Sequence, residues 1–169
     1  MAILTNYEGS NDDYENGGSA GKRAQGFQVQ SNSYLTSVSI YGSRGGSYSG
    51  TTTITITQGT NPGGTVIGSK TINTSTLTAY GSPAWNEITF DSVLSLTASS
   101  QYYIEMTHTG NTNDEVRWST DTTSPTYSYG TAWYYETSWT QSSTKDKNFR
   151  INGYENTGII NYTNFFQFF

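Results

Sequence analysis

The clearest pattern in the chain runs from Tyr34 to Gln58, YLTSVSIYGSRGGSYSGTTTITITQ. Val38 and Ile40 alternate with Ser37 and Ser39, and Ile54 and Ile56 alternate with Thr53, Thr55 and Thr57. A period of two sends successive side chains to opposite faces of a strand, so each run has one apolar and one polar face. The polar stretch Gly42 to Gly50 separates the runs, and together they read as a hairpin with a long loop. One dry and one wet face predict an antiparallel sheet whose apolar side is covered by a second sheet.

Weaker versions of the same pattern fill the rest of the chain. Ala2 to Glu8 reads as a short first strand and Gly9 to Gly21 as a polar, acidic loop. Phe27 and Val29 mark a strand over Ala24 to Gln30, and Gly68 interrupts another over Thr65 to Asn73. Ile88 and Phe90 share a face in Trp85 to Phe90, with Leu94 and Leu96 close behind. In Gln101 to His108, Tyr102, Ile104 and Met106 fall on one face, with Tyr103, Glu105 and Thr107 on the other. Glu115 to Thr120, the aromatic stretch Tyr127 to Trp139, and Asn148 to Tyr154 with Phe149 and Ile151 inward complete the set. Short strands at close spacing without helices between them predict an all-β fold, an antiparallel two-sheet jelly-roll β-sandwich with a C-terminal apolar extension. The expected divisions are an N-terminal strand and acidic loop over 1–23, the sandwich over 24–154, and an apolar tail over 155–169.

Composition changes this picture in three places. Leu, Ile, Val and Phe are scarce, which raises the question of disorder; aromatics at 15% against charged residues at 12% answer it, with Tyr and Trp supplying the burial. A net charge of −5 with 8 basic residues leaves no phosphate-neutralising patch and excludes nucleic acid as the principal partner. The absence of cysteine removes disulfides, thiolate metal sites and Cys nucleophiles. No segment approaches the ~20 apolar residues of a membrane-spanning helix. The N-terminus MAILTNYEGSNDDYENGG lacks the basic region and apolar run of a signal peptide, yet the Thr/Ser/Gly/Tyr-rich surface suits an extracellular setting. A virion protein, made in the cytosol and exposed later, reconciles the two; so does a fragment of a secreted protein.

The run LTSVSIY…TTTITI…GTVIGSKTI…WNEITFDSVLSLTASSQYYIEMTHTG…VRWSTD, closed by KDKNFRINGY, resembles the jelly-roll modules of bacterial surface proteins and bacteriophage structural proteins. The likeness covers about Gly26 to Tyr154 and is one of pattern. It implies a non-catalytic adhesion, carbohydrate-binding-like or assembly domain. The segment Glu155 to Phe169 departs from that pattern.

Candidate chemistry is limited. His108 is the sole histidine, and no serine sits in a G-x-S-x-G setting, so a Ser–His–Asp triad is not expected. Glu87 or Glu105 could pair with Asp91 or Glu115 as glycosidase carboxylates, but Glu105 alternates outward as a solvated strand residue should, and no enzyme activity is expected. Asn11, Asp13 and Glu15 alternate in NDDYENG like the first ligands of a calcium loop, although the glycine falls one residue late for an EF-hand. A structural Ca²⁺ is therefore the one candidate cofactor, with Asn113, Asp114 and Glu115 as a second short acidic cluster.

Aromatic density points to binding. Trp118, Tyr127, Tyr129, Trp133, Tyr134, Tyr135 and Trp139 could form a platform that stacks on the apolar faces of sugars, or could be core. Consecutive Trp133, Tyr134 and Tyr135 cannot all face inward from one strand. Trp118, Tyr129, Trp133, Tyr135 and Trp139 are the candidate ligand-binding residues. The tail NTGIINYTNFFQFF places Ile159, Ile160, Tyr162, Phe165, Phe166, Phe168 and Phe169 in an apolar ribbon that needs a cover. Strand addition to a neighbouring subunit would provide one, making these the candidate assembly residues.

The expected function is a non-catalytic virion structural protein, a phage head decoration or a tail or fibre component with host-glycan adhesion. Its partners would be other virion proteins or copies of itself, and cell-surface glycan. The alternative is a carbohydrate-binding module of a secreted bacterial protein.

Overall fold

Two antiparallel sheets face each other over one core in the computed structural model, which describes residues 2–17, 21–45, 50–110 and 116–157. The first sheet runs β1 (Ala2–Tyr7), β13 (Phe149–Glu155), β4 (Ser33–Arg44), β9 (Val116–Asp121) and β12 (Asp146–Lys147). Two further strands complete its seven: β7 (Ala84–Leu96) lies along β4, and β2 (Asp13–Gly17) lies along β9. The second, six-stranded sheet runs β11 (Trp139–Ser142), β10 (Ala132–Tyr135), β3 (Lys22–Phe27), β8 (Tyr102–Thr109), β5 (Thr51–Gln58) and β6 (Thr65–Asn73). The arrangement is β-sandwich-like, and the seven-stranded sheet is curled. Register shifts at Ile3/Thr5, Leu35/Ser37 and Asn152/Gly153 insert the extra residues that bend it. Among the described residues no helix is long and apolar enough to cross a membrane.

The apolar faces read from the sequence do form the core. Val38, Ile40, Ile54, Ile56, Ile104, Met106, Phe149 and Ile151 are all buried. Rings join the sheets: Phe27 of the second stacks on Tyr102 at 5.6 Å and tilts against Phe149 of the first at 6.2 Å. Tyr127, in the segment after β9, packs edge-on to Phe149 at 5.2 Å, and burial pushes its phenol up to about 12.

The expected hairpin does not form. β4 pairs with β13, β7 and β9, whereas β5 pairs with β6 and β8, so the two best strands belong to different sheets. Alternation fixes which face is dry. It does not say whether the partner across the dry side is a neighbour or a facing sheet. The N-terminal stretch also contributes more than expected, since β2 lies inside the anticipated acidic loop. It pairs with β9 over Asp13–Gly17, and Glu15 finds its ionic partner in Lys147 of β12. Gly42 is where β9 meets β4: a Cβ at that position would stand 2.0 Å from the Arg117 carbonyl oxygen, so a side chain would force the strands apart.

Candidate functional site

The candidate site is the β10–β11 edge of the six-stranded sheet. Ala132 points into the core, so the alternation turns Trp133 and Tyr135 to the outer face, where both are half-buried. Tyr135 lies opposite Trp139 in the ladder, and their rings meet edge-on at 5.4 Å. On the other side Tyr135 pairs with Lys22, whose ammonium stands 5.0 Å from the ring centroid. Trp133 meets Tyr103 of β8 at 6.1 Å and 89°. Tyr129 is 43% exposed just before β10 and touches Tyr127 edge-on. A Cβ on Gly130 would lie 2.3 Å from the Gly26 backbone, so this aromatic segment reaches the sheet only through a glycine.

The turn after β5 folds back over this face. Tyr103 Oη donates to the Thr60 carbonyl at 2.7 Å, and burial raises its pKa, keeping it a donor. Gly63 N–H donates to Glu105 Oε1 at 2.6 Å, and Thr57 Oγ1 donates to the same oxygen at 2.5 Å. Gly63 has φ +83°, and a Cβ there would stand 3.2 Å from Trp139 Nε1. Glu105 is thus buried under the turn, against the expectation of a solvated strand residue. The outcome is a row of half-exposed rings with polar edges, walled by a loop that a carboxylate pins down. Such rings can stack on the C–H faces of a pyranose while backbone and hydroxyl groups meet its oxygens.

Trp118 is not part of this platform. It is wholly buried, donates from Nε1 to the Asn148 carbonyl at 2.8 Å, and shares its face of β9 with buried Val116. The calcium triplet is likewise committed elsewhere. Asn11 Oδ1 accepts from Ser119 Oγ at 2.6 Å and from Asn148 Nδ2 at 2.7 Å. Asp13 is 3.4 Å from Lys145 Nζ. Glu15 faces three cations: Lys147, with which it hydrogen-bonds, Lys145 at 3.2 Å and Arg23 at 3.5 Å. Half-buried Glu15 thus stands in an ion cluster with three positive groups. Burial pulls the wholly buried Lys147 down to about 8 although Glu15 opposes this. Burial works against ionisation of Glu15, yet Lys147 and Lys145 hold its carboxyl below the usual range. Among the described residues no group of three His, Cys, Asp or Glu side chains converges as a metal site would require.

Of the carboxylates considered for glycoside hydrolysis, Glu87 stands on the outer face of the seven-stranded sheet and Glu105 on that of the other, and Glu115 lies outside the described residues. Asp91 is paired with Lys70. His108 is buried at the end of β8, its Nδ1 3.2 Å from Thr74 Oγ1. Asp121 is a structural hub. It accepts from Tyr7 Oη at 2.7 Å, Ser10 Oγ at 2.8 Å, and the N–H groups of Ser10, Thr123 and Ser124. Burial opposes its charge, but these donors hold the carboxyl well below its ordinary value.

Residues Asn113, Asp114 and Glu115 lie outside the described residues, as do the assembly residues Ile159, Ile160, Tyr162, Phe165, Phe166, Phe168 and Phe169. Tyr103, Lys22 and Gly63 belong to the site but were not singled out from the sequence. Tyr103 was legible in principle, since it alternates against Tyr102 and Ile104; the turn at Gly63 reaches the site only through folding. No family model matches the chain, and no curated protein matches it.

Proposed function

We propose that this chain is a non-catalytic jelly-roll module of a virion, a phage head decoration or a tail or fibre component, that contacts host glycans through the β10–β11 aromatic edge. The observation that carries the glycan part is the alignment of Trp133, Tyr135 and Trp139 on one outer face, each half-exposed and each held by a ring, cation or loop contact. Rings fixed in advance lose little freedom on binding, which favours a weak, repetitive ligand such as a surface glycan. The assembly part rests on the apolar sequence Ile159 to Phe169 and on the resemblance to phage modules.

A glycan array with wild-type protein and the Trp133→Ala and Trp139→Ala variants tests the binding surface. Signal on a defined set of glycans, lost in both variants at unchanged melting temperature, supports it; an array without signal for wild type removes it. A carbohydrate-binding module of a secreted bacterial protein is the second reading. It is favoured by the aromatic edge being formed within a single chain. Light scattering separates the two, because a virion part assembles and a free module stays monomeric.

A further inference from the structure

The outside of the seven-stranded sheet carries a cavity of about 250 Å³. It is lined by Ala2, Ile3, Ser39, Glu87, Arg150 and Asn152, from four adjacent strands. The polar groups are linked in a directed chain: Asn152 Nδ2 donates to Ser37 Oγ at 3.2 Å and to Ser39 Oγ at 3.1 Å, and Ser37 Oγ donates to Glu87 Oε1 at 2.5 Å. That chain fixes the orientation of Asn152 and Glu87. It leaves Asn152 Oδ1 and Glu87 Oε2 as acceptors without a hydrogen bond from any described residue.

Arg150 is fixed as firmly. Its Nε and Nη2 donate to the two oxygens of Glu8 at 2.8 and 2.9 Å, and its guanidinium carbon stands 3.9 Å from the Trp85 ring centroid. Trp85 in turn meets Tyr41 edge-on at 5.3 Å. The Nη1 group of Arg150 is left as a donor beside the cavity. Glu8 balances the charge of Arg150, so Glu87 gives the site a net negative character. Ile3, 50% exposed and opposite Asn152 in the ladder, supplies an apolar rim.

We propose that this cavity is a carbohydrate subsite that takes one uncharged pyranose residue. A sugar hydroxyl both donates and accepts, so a site offering a guanidinium donor, a carboxylate acceptor and an amide acceptor side by side suits adjacent hydroxyls. The apolar rim suits the C–H face of the ring. The volume lies below the ~300 Å³ at which pockets for larger ligands begin, which limits the occupant to a single small residue. The negative character rejects acidic sugars. The site is independent of the aromatic edge, so either can fail without the other.

The test is a titration of the full chain, followed by amide and side-chain NMR shifts, with the methyl glycosides of glucose, galactose, mannose and N-acetylglucosamine, and with sialic acid. At least one neutral glycoside is expected to shift Glu87, Arg150 and Asn152 with a dissociation constant on the order of 1 mM. Glu87→Ala and Asn152→Ala should each weaken that binding at least ten-fold, and Trp133→Ala should leave it unchanged. Ala2→Trp, which blocks the rim without touching the hydrogen-bond chain, should abolish binding even if the other two variants fold poorly. The proposal is overturned if no neutral glycoside shifts these residues, if binding survives Ala2→Trp, if Trp133→Ala removes it, or if sialic acid binds as well as the neutral sugars.

Discussion

Lys147 shows how one residue's surroundings decide its role. An ammonium with no solvent contact persists because Glu15 accepts from it, while Trp118 lies 5.7 Å away beneath the charge. Converting Glu15 to Gln leaves that ammonium without its counter-charge and should cost about 3–5 kcal/mol in chemical denaturation. The pH dependence follows from the sign of the shift. Lys147 titrates near 8 when folded and near ~10.4 when unfolded, so between these values the unfolded state holds more protons and stability rises with pH. The stability difference between wild type and Lys147→Met should therefore move in favour of wild type from pH 8 to about 10. Asp121 follows the same sign in an acid window. Its folded pKa is depressed, so its contribution is complete above the ordinary carboxylate value and falls away as the pH drops below ~4. Asp121→Asn should be less stable at neutral pH and flatter in that acid window. Added calcium or chelator should leave the melting temperature unchanged, because Asn11, Asp13 and Glu15 are already engaged. Residue identity alone could not separate Trp118 from Trp133. The neighbours could have, since Val116 two positions before Trp118 and Ala132 one before Trp133 set opposite faces.

Among the elements, the turn after β5 couples the fold to the candidate site. Gly63 is in the left-handed region and faces Trp139, so Gly63→Ala meets both backbone strain and a crowded indole. It should cost about 1–2 kcal/mol and weaken glycan binding by displacing Trp139, measured by thermal unfolding together with the array. Strand existence was legible for the long alternating runs, because burying one face demands period two. Strand partnership was not. β4 and β5 are separated by a loop long enough to cross from one sheet to the other, and nothing local distinguishes a hairpin from that crossing. β2 went unread because its polar residues pair with β9 and with distant lysines rather than burying an apolar face.

For the whole molecule, two outer faces carry different equipment: rings and a pinned turn on the six-stranded sheet, a polar chain around a small cavity on the seven-stranded one. Deleting Gly158 to Phe169 should leave the cooperative unfolding transition intact, since the core cluster of the described residues spans Tyr7 to Ile151, and should abolish assembly in light scattering. If the truncated chain forms the same oligomer, the apolar tail has no assembly role.

The sequence by itself determined that this chain is all-β with two-faced strands, that aromatics stand in for aliphatic burial, and that Val38, Ile40, Ile54, Ile56, Phe149 and Ile151 are core. These follow from local periodicity and from the free energy of removing apolar surface from water, and both act residue by residue. Only the tertiary structure decided which sheet each strand joins, which tryptophan is buried, that Glu15 meets Lys147, and that Glu87, Arg150 and Asn152 line one cavity. Those depend on contacts between segments far apart in the chain, whose geometry is set by how the whole core closes.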